Sequence, residues 1–179
     1  MNSPDRRDLA ERVIATASSR GFTIAVAESL TGGLLADALV SIPGASKTLT
    51  GGVVAYHTAL KHSLLGVDAE LLRERGPVDG EVARQMADGV RTACAVPNGD
   101  VTAPTAIGIA TTGVAGPDPD PQTGQPAGTV WIAVSCAGLE RQQLLSLPGD
   151  RSSIRAAAVD AAIELLRTCL EDECASTTP

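Results

Sequence analysis

The stretch FTIAVAESLTGGLLADALV, residues 22–40, runs from an apolar segment through a polar, glycine-containing turn into a helical pattern. The segment over residues 22–27 is apolar on both faces, which is typical of a central strand that helices cover on each side. After the turn, apolar residues recur with helical spacing at Leu34, Leu35, Ala38 and Leu39. The stretch therefore predicts a strand-turn-helix unit with a polar turn at the start of the helix.

The remainder of the chain alternates the same two patterns. We expect a first helix over residues 4–20, with Ser3 as N-cap and Pro4 at its first position, and a last helix that follows Asp150 as N-cap. Between them, apolar spacing and glycine or proline stops predict further elements. These are strands at about 48–56, 104–111, 128–137 and 140–147, and helices over 57–65, 68–75 and 79–95.

This alternation, with two adjacent strands late in the chain, predicts an α/β fold. The architecture that we expect is a three-layer α/β/α sandwich over a mixed, mostly parallel sheet. A length of 179 residues fits one domain over residues 1–179. Because 44% of the residues are apolar and 20% are charged, we expect a globular domain with a disordered tail at about 173–179.

Charge and cysteine usage argue against several kinds of partner. The formal net charge is -7 and the basic residues are scattered, so we expect neither nucleic-acid nor membrane-surface binding. The N-terminal segment is charged and amphipathic, and no apolar run is long enough to span a membrane, which predicts a cytoplasmic protein. The four cysteines lack the spacing of a zinc or redox motif, so no metal site is expected.

Three predicted strands end in polar or glycine-rich turns. The turns are AESLTGG (27–33), AYHTALK (55–61) and TTGVAGPDPDPQTGQPAG (111–128). In open α/β sheets the ligand crevice lies at the carboxyl ends of the strands. If the three strands are parallel, the turns converge there and form one site.

The first turn places Glu28, Ser29 and Thr31 at a helix N-terminus, where unpaired backbone N–H groups can hold an anion or a developing oxyanion. The alternative is that Ser29 or Thr31 only caps the helix, which is the commonest role of these residue types at such a position.

The second turn contains Lys61, one of two lysines in a chain with 14 basic residues. Lysine can lose its proton when it is desolvated, whereas arginine cannot, so a buried Lys61 beside a serine could act as a general base. Tyr56, at the strand end, could relay or donate a proton. His57 and His62 do not converge on a helix, and we interpret them as surface residues rather than metal ligands.

Two later features remain open in the same way. The loop from Gly113 to Gly128 suits a flap over a ligand, or it is a long surface loop without a role. Arg151 and Arg155 lie four residues apart in the first turns of the last helix, where arginine is poorly matched to the helix dipole. They hold an anion there, or they are simply solvated.

Taken in order, these motifs resemble the C-terminal domain of the competence/damage-inducible protein CinA. The likeness runs from about residue 5 to residue 170. It is carried by AESLTGG, GAS (44–46), GGVVAYHTALKHSLLGV (51–67), TTGVAGP (111–117), PAGTVWIAV (126–134) and PGDR (148–151).

The resemblance implies an amidohydrolase that converts nicotinamide mononucleotide to nicotinate mononucleotide and ammonia, with no metal or organic cofactor. It also implies a small-molecule nucleotide substrate, and domains of this kind often form homo-oligomers, dimers or larger. By matching motif, Ser29 is the implied nucleophile, Lys61 its base and Tyr56 a proton-handling or positioning partner. The expected substrate-binding residues are Glu28, Thr31, Gly32, Gly33, Ser46, Thr112, Gly113, Arg151 and Arg155, with Arg151 or Arg155 as the partner of the nucleotide phosphate.

The chain departs from the family pattern in the third turn. It reads GPDPDPQTGQP, with Pro119, Asp120 and Gln125, where the family usually has a glycine pair and a later Lys-Pro. The alternative hypothesis is therefore a nucleotide-binding or regulatory module that has lost the chemistry. The pyrophosphatase activity of the N-terminal domain in larger family members is not expected of this chain.

Overall fold

A computed structural model describes residues 5–98 and 101–172 of the chain. Ser3, Pro4 and the predicted disordered tail, 173–179, lie outside these residues. The helices are α1 (Arg6–Ser19), α2 (Leu34–Val40), α3 (Thr58–Leu65), α4 (Ala69–Arg75), α5 (Gly80–Ala93) and α6 (Arg151–Asp172). The strands are β1 (Ile24–Glu28), β2 (Leu49–Val54), β3 (Val96–Asn98), β4 (Val101–Ala103), β5 (Ile107–Gly113), β6 (Thr129–Cys136) and β7 (Leu139–Ser146).

The main sheet has five strands in the order β2-β1-β5-β6-β7. Strand β1 pairs in parallel with both β2 and β5, whereas β6 is antiparallel to β5 and to β7. Four of the five strands of this sheet therefore point the same way, and the predicted mixed sheet is confirmed. The prediction of one common site required β1, β2 and β5 to be parallel. They are, and they therefore end at the same edge of the sheet.

Helices cover both faces of the sheet, as the apolar first strand predicted. Ile24 and Val26 point into a core with α1, α2 and α6, and Ala25 and Ala27 into a second core with α3, α4 and α5. The second face is built from small residues because α5 approaches it closely. A Cβ on Gly108 would lie 1.8 Å from the Ala87 carbonyl oxygen of α5. The α/β/α sandwich is thus confirmed.

Element boundaries differ from the prediction in three places. Helix α1 begins at Arg6 with Asp5 as its N-cap, in place of Ser3. Strand β5 extends to Gly113, so the residues TTG end the strand instead of opening the loop. The antiparallel pair β3–β4 was missed, although Asn-Gly at 98–99 is a strong hairpin signal. Within the described residues, no helix is long and apolar enough to cross a membrane.

Candidate active site

Parallel pairing brings the three polar turns to one edge of the sheet. Ser29 follows β1 directly, Tyr56 lies two residues after β2, and Thr112 and Gly113 end β5. Beside them lies a cavity of about 340 Å³. Six of the residues expected at the site line it: Ser29, Tyr56, Lys61, Thr112, Gly113 and Arg151.

Lys61 is almost completely buried, at 1% exposure, on the inner face of α3. Leu65, one helical turn later, packs in the core on the same face and turns Lys61 inward. The Lys61 Nζ donates hydrogen bonds to Ser29 Oγ at 3.0 Å and to the Ala55 carbonyl oxygen at 2.8 Å. The predicted serine–lysine pair is therefore formed in the structure.

Burial lowers the pKa of Lys61 to about 8, because an ammonium loses hydration in the protein interior. The two hydrogen-bond acceptors of its ammonium are uncharged oxygens, and within residues 5–98 and 101–172 Lys61 forms no salt bridge. With that pKa, roughly one molecule in ten holds a neutral amine at pH 7.

The backbone around Ser29 is held in place by two hydrogen bonds. Its N–H donates to the Thr111 carbonyl oxygen at 3.0 Å and continues the ladder of β1 and β5. Its carbonyl oxygen accepts from the Gly32 N–H at 3.2 Å, which closes a turn over Leu30 and Thr31. The N–H groups of Leu30 and Thr31 donate to no acceptor in the part of the chain that the structure describes. Leu30 also lines the cavity.

Glu28 is fully buried, and its carboxylate forms hydrogen bonds with the start of α2. Its carboxylate accepts from the N–H groups of Gly33 at 2.9 Å, Leu35 at 3.1 Å and Ala36 at 2.9 Å. A carboxylate at that position satisfies N–H groups that the helix leaves unpaired. Glu28 was expected to bind substrate, but it does not line the cavity; it caps the helix instead.

Five other residues expected to bind substrate also lie off the cavity wall: Arg155, described below, and Thr31, Gly32, Gly33 and Ser46. The Thr31 hydroxyl is buried against the Thr111 hydroxyl at 2.7 Å, and Gly32 and Gly33 take the positive φ angles, 59° and 99°, that the turn requires. Ser46 is exposed in the 3-10 turn Ala45–Lys47 that precedes β2. That turn lies at the opposite edge of the sheet from Ser29, because the site occupies the carboxyl ends of the strands.

The two arginines of α6 have different partners. Arg151 lines the cavity and donates to the Tyr56 hydroxyl at 2.8 Å and to the Gly116 carbonyl oxygen at 2.9 Å. Tyr56 is 58% exposed, so this contact joins two surface groups beside the cavity. Arg155 does not line the cavity; it donates to the carbonyl oxygens of Leu30 and Thr31 at 2.9 and 2.8 Å.

The loop between β5 and β6 forms one wall of the cavity through Asp120 and Pro121. Gln122 donates from Nε2 to the Leu72 and Arg73 carbonyl oxygens at 3.0 and 3.1 Å. Gln125 donates in the same way to the Val78 carbonyl oxygen at 2.8 Å. The residues in which this chain departs from the family pattern thus tie the loop to the segment around α4 and the start of α5.

The two histidines contact the backbone of α3 and of the segment after it. His57 Nδ1 accepts from the Ala59 N–H at 3.2 Å and so caps the helix that carries Lys61. His62 Nδ1 lies 2.8 Å from the Val67 carbonyl oxygen. Across the described ranges, 5–98 and 101–172, no group of three or more His, Cys, Asp or Glu side chains is placed to hold a metal ion.

A larger groove of about 620 Å³ lies on the surface between α1, α2 and α6. It contains the Arg6–Asp160 ion pair and is rimmed by Asp37 and Ser41. None of the residues that line it is a buried nucleophile or base, so the smaller cavity beside Ser29 is the candidate active site.

A model of the CinA C-terminal domain family matches residues 6–170. A CinA-like protein of Gemmatimonas aurantiaca is 43% identical over 166 residues, which cover 93% of this chain and 36% of that protein. A putative competence-damage inducible protein of Listeria welshimeri is 41% identical, over 91% of this chain and 37% of that protein. The chain thus spans about a third of the length of these curated relatives.

Solved structures give the same result. The competence/damage inducible protein of Agrobacterium tumefaciens matches with a TM-score of 0.83 and 31% identity, over 96% of this chain and 99% of that chain. A CinA superfamily protein of Enterobacter cloacae matches with a TM-score of 0.87 and 26% identity, over 96% of this chain and 95% of that chain. The family model covers nearly the whole chain, and the protein therefore belongs to the CinA C-terminal domain family.

Proposed function

We propose that the chain is an amidohydrolase that converts nicotinamide mononucleotide to nicotinate mononucleotide and ammonia. The observation that carries the proposal is the 3.0 Å hydrogen bond between the buried Lys61 Nζ and Ser29 Oγ. A lysine with 1% exposure and no carboxylate partner among the described residues costs stability. Groups with such perturbed pKa values cluster at functional sites.

The reaction begins when neutral Lys61 accepts the Ser29 hydroxyl proton and Ser29 Oγ attacks the amide carbon. The resulting tetrahedral intermediate carries a negative oxygen. As the intermediate collapses, the Lys61 ammonium returns its proton to the amide nitrogen, which leaves as ammonia. Water then attacks the acyl-enzyme with Lys61 again as base, which releases the carboxylate and restores Ser29.

The negative oxygen of the intermediate needs hydrogen-bond donors. The N–H groups of Leu30 and Thr31 are adjacent to Ser29 and have no acceptor among the residues described. Pre-positioned backbone donors of this kind form oxyanion holes in acyl-transfer enzymes. The Ser29 N–H cannot serve, because it donates to the Thr111 carbonyl oxygen.

Support for a nucleotide substrate comes from the family likeness and from Arg151. The cavity of about 340 Å³ falls within the range of small-molecule sites. Arg151 lies in its wall, and arginine is well suited to bind a phosphate through two parallel hydrogen bonds. Tyr56 accepts a hydrogen bond from Arg151 and would orient it towards the phosphate. The proposal also includes a cytoplasmic location, a homo-oligomeric state and a reaction without a cofactor.

The direct test is ammonia release from nicotinamide mononucleotide by the purified protein, beside a Ser29→Ala variant. We expect turnover by the parent protein and loss of at least about a thousandfold in the variant. The matched control is Ser46→Ala, since Ser46 is exposed at the far edge of the sheet. A folded parent protein that binds the nucleotide but releases no ammonia contradicts the proposal.

The second candidate is a nucleotide-binding or regulatory module without the chemistry. It is favoured by Asp120, a carboxylate residue of the altered loop that lies in the same cavity wall as Arg151. Calorimetry with nicotinamide mononucleotide and with nicotinate mononucleotide separates the two candidates. Binding of both compounds without interconversion supports the module and excludes the amidase.

A further inference from the structure

Arg155 reaches across the turn that carries Ser29 without lining the cavity. Its Nε donates to the Leu30 carbonyl oxygen at 2.9 Å and its Nη2 to the Thr31 carbonyl oxygen at 2.8 Å. The side chain is half-buried and forms no salt bridge with any residue in the ranges 5–98 and 101–172. Its planar guanidinium group therefore donates hydrogen bonds to two neighbouring peptide groups of one turn.

Holding a carbonyl oxygen also sets the direction of the N–H in the same peptide. In a trans peptide the two groups point in opposite directions, and the only cis peptide among the described residues is Gly116–Pro117. The Leu30 carbonyl oxygen and the Thr31 N–H belong to one peptide. By holding the first, Arg155 determines where the second points.

The layers of the fold give that direction. Arg155 belongs to α6, which packs with α1 and α2 on one face of the sheet. Lys61 belongs to α3, which packs with α5 on the other face. Because the Leu30 carbonyl oxygen is turned towards α6, the Thr31 N–H is turned towards the layer of Lys61. The preceding peptide is held in a similar way, since the Ser29 carbonyl oxygen accepts from Gly32.

We propose that Arg155 is the positioning residue of the oxyanion hole: it holds the Thr31 N–H towards the substrate carbonyl oxygen above Ser29, beside the Leu30 N–H, whose peptide is held by the Gly32 contact. This inference rests on the proposed function only in requiring that Ser29 attacks an acyl carbon or an equivalent centre. Arg155 touches neither substrate nor reacting atoms, so it acts through the turn alone.

The other anchors of the turn do not duplicate this role. Glu28 holds N–H groups from Gly33 onwards, and Thr31 is held through its side chain by Thr111. Neither contact involves the peptide between Leu30 and Thr31. Loss of Arg155 therefore leaves the start of α2 capped and frees the peptide whose N–H faces the site.

The test uses Arg155→Met and Arg155→Lys, with Arg167→Lys as the matched control on the same helix. Arg167 forms ion pairs with Glu164 and Glu171 far from Ser29 in the sequence. For Arg155→Met we expect kcat to fall about a hundredfold, as for loss of one oxyanion-hole donor, with KM changed less than threefold. The pH midpoint of kcat/KM should not move, because Lys61 is untouched. Arg155→Lys should recover part of the rate, because one ammonium can hold one carbonyl.

A second readout is independent of the natural substrate. Phenylmethylsulfonyl fluoride reacts with an activated serine by sulfonylating Ser29 Oγ; fluoride leaves and the hydroxyl proton passes to Lys61. The label is measured by mass spectrometry of the intact protein. We expect the labelling rate to fall at least about tenfold in Arg155→Met and to stay unchanged in Arg167→Lys.

The outcomes separate this inference from the proposed function. If the parent protein is labelled at Ser29 but releases no ammonia, the proposed substrate is wrong. The labelling rates of the variants then still test the role of Arg155. Parent protein that shows neither reaction overturns both. Arg155→Met with kcat or labelling within threefold of the parent overturns the positioning role. So does a loss expressed in KM alone, or a shifted pH midpoint. If Arg155→Met does not fold, Arg155→Lys is judged by the same criteria.

Discussion

Replacing Lys61 with methionine should make the protein more stable at neutral pH, by an amount that shrinks as the pH rises. Lys61 is 1% exposed, and burial lowers its pKa from 10.5 to about 8. Between these two values the unfolded chain binds a proton that the folded protein does not. The free energy of unfolding of the parent therefore rises with pH across this window, and the burial penalty is fully present below pH 8.

The size of the effect follows from the shift. About 2.5 pKa units correspond to about 3 kcal/mol of penalty at pH 7, and about 1 kcal/mol remains at pH 10. Methionine has a similar length, fills the same space and carries no charge. Its packing and the lost hydrogen bond to Ala55 are independent of pH, so they cancel when two pH values are compared. The stability difference between Lys61→Met and the parent should narrow by about 2 kcal/mol from pH 7 to pH 10.

Urea unfolding at four pH values between 7 and 10 measures this difference. The single tryptophan, Trp131 in β6, provides the fluorescence signal, and linear extrapolation gives the free energy of unfolding. The control is Lys47→Met, which changes the only other lysine, an exposed residue in the turn before β2. A stability difference for Lys61→Met that stays constant from pH 7 to pH 10 would refute the desolvation of Lys61, and with it the supply of neutral amine near pH 7.

The other predictions concern catalysis and the helix cap. Lys61→Arg should lose at least about a hundredfold in kcat with the fold intact, because arginine cannot be a neutral base; near-parental turnover would make Lys61 an electrostatic contact only. In the parent, kcat/KM should rise with pH through a midpoint of about 8, since the neutral amine is the active form, and a flat profile from pH 6 to pH 9 contradicts this. Arg151→Ala should raise KM for nicotinamide mononucleotide at least about tenfold but leave nicotinamide riboside unaffected, because the riboside lacks the phosphate; equal effects on both would remove Arg151 from phosphate binding. Glu28→Gln should lower the free energy of unfolding by about 2 kcal/mol in urea, since one amide oxygen cannot replace a carboxylate that accepts three N–H groups, and an unchanged value would show that the cap is dispensable.

The sequence predicted the central strand and the Ser29–Lys61 pair for separate reasons. A run that is apolar on both faces reports burial on both sides, and β1 is indeed covered by helices on each side. Ser29 and Lys61 were identified from their motifs, and the structure brings their side chains to 3.0 Å although they are 32 positions apart. Local periodicity cannot report such a distance, because it depends on the parallel pairing of β1 and β2.

The roles of the polar residues around the pair were harder to predict. Glu28 and Arg155 were both expected to bind substrate, and each meets the backbone of the Ser29 turn instead. No pattern in the sequence separates Arg151 from Arg155, which lie one helical turn apart on the same helix. The difference arises from tertiary packing: Arg151, in the first turn of α6, lines the cavity, whereas Arg155, one turn later, meets the turn after β1.

By itself, the sequence determined the order of the helices and of the five strands of the main sheet, the covering of that sheet on both faces, and the few residues able to supply a nucleophile and a base. These properties follow from residue type and from spacing along the chain. Only the tertiary structure decided which side chains line the cavity, which hold the backbone, and that Lys61 is buried against neutral oxygens. The physical reason is that the protonation state of Lys61 and the partners of the two arginines depend on groups from distant segments, which only packing brings together.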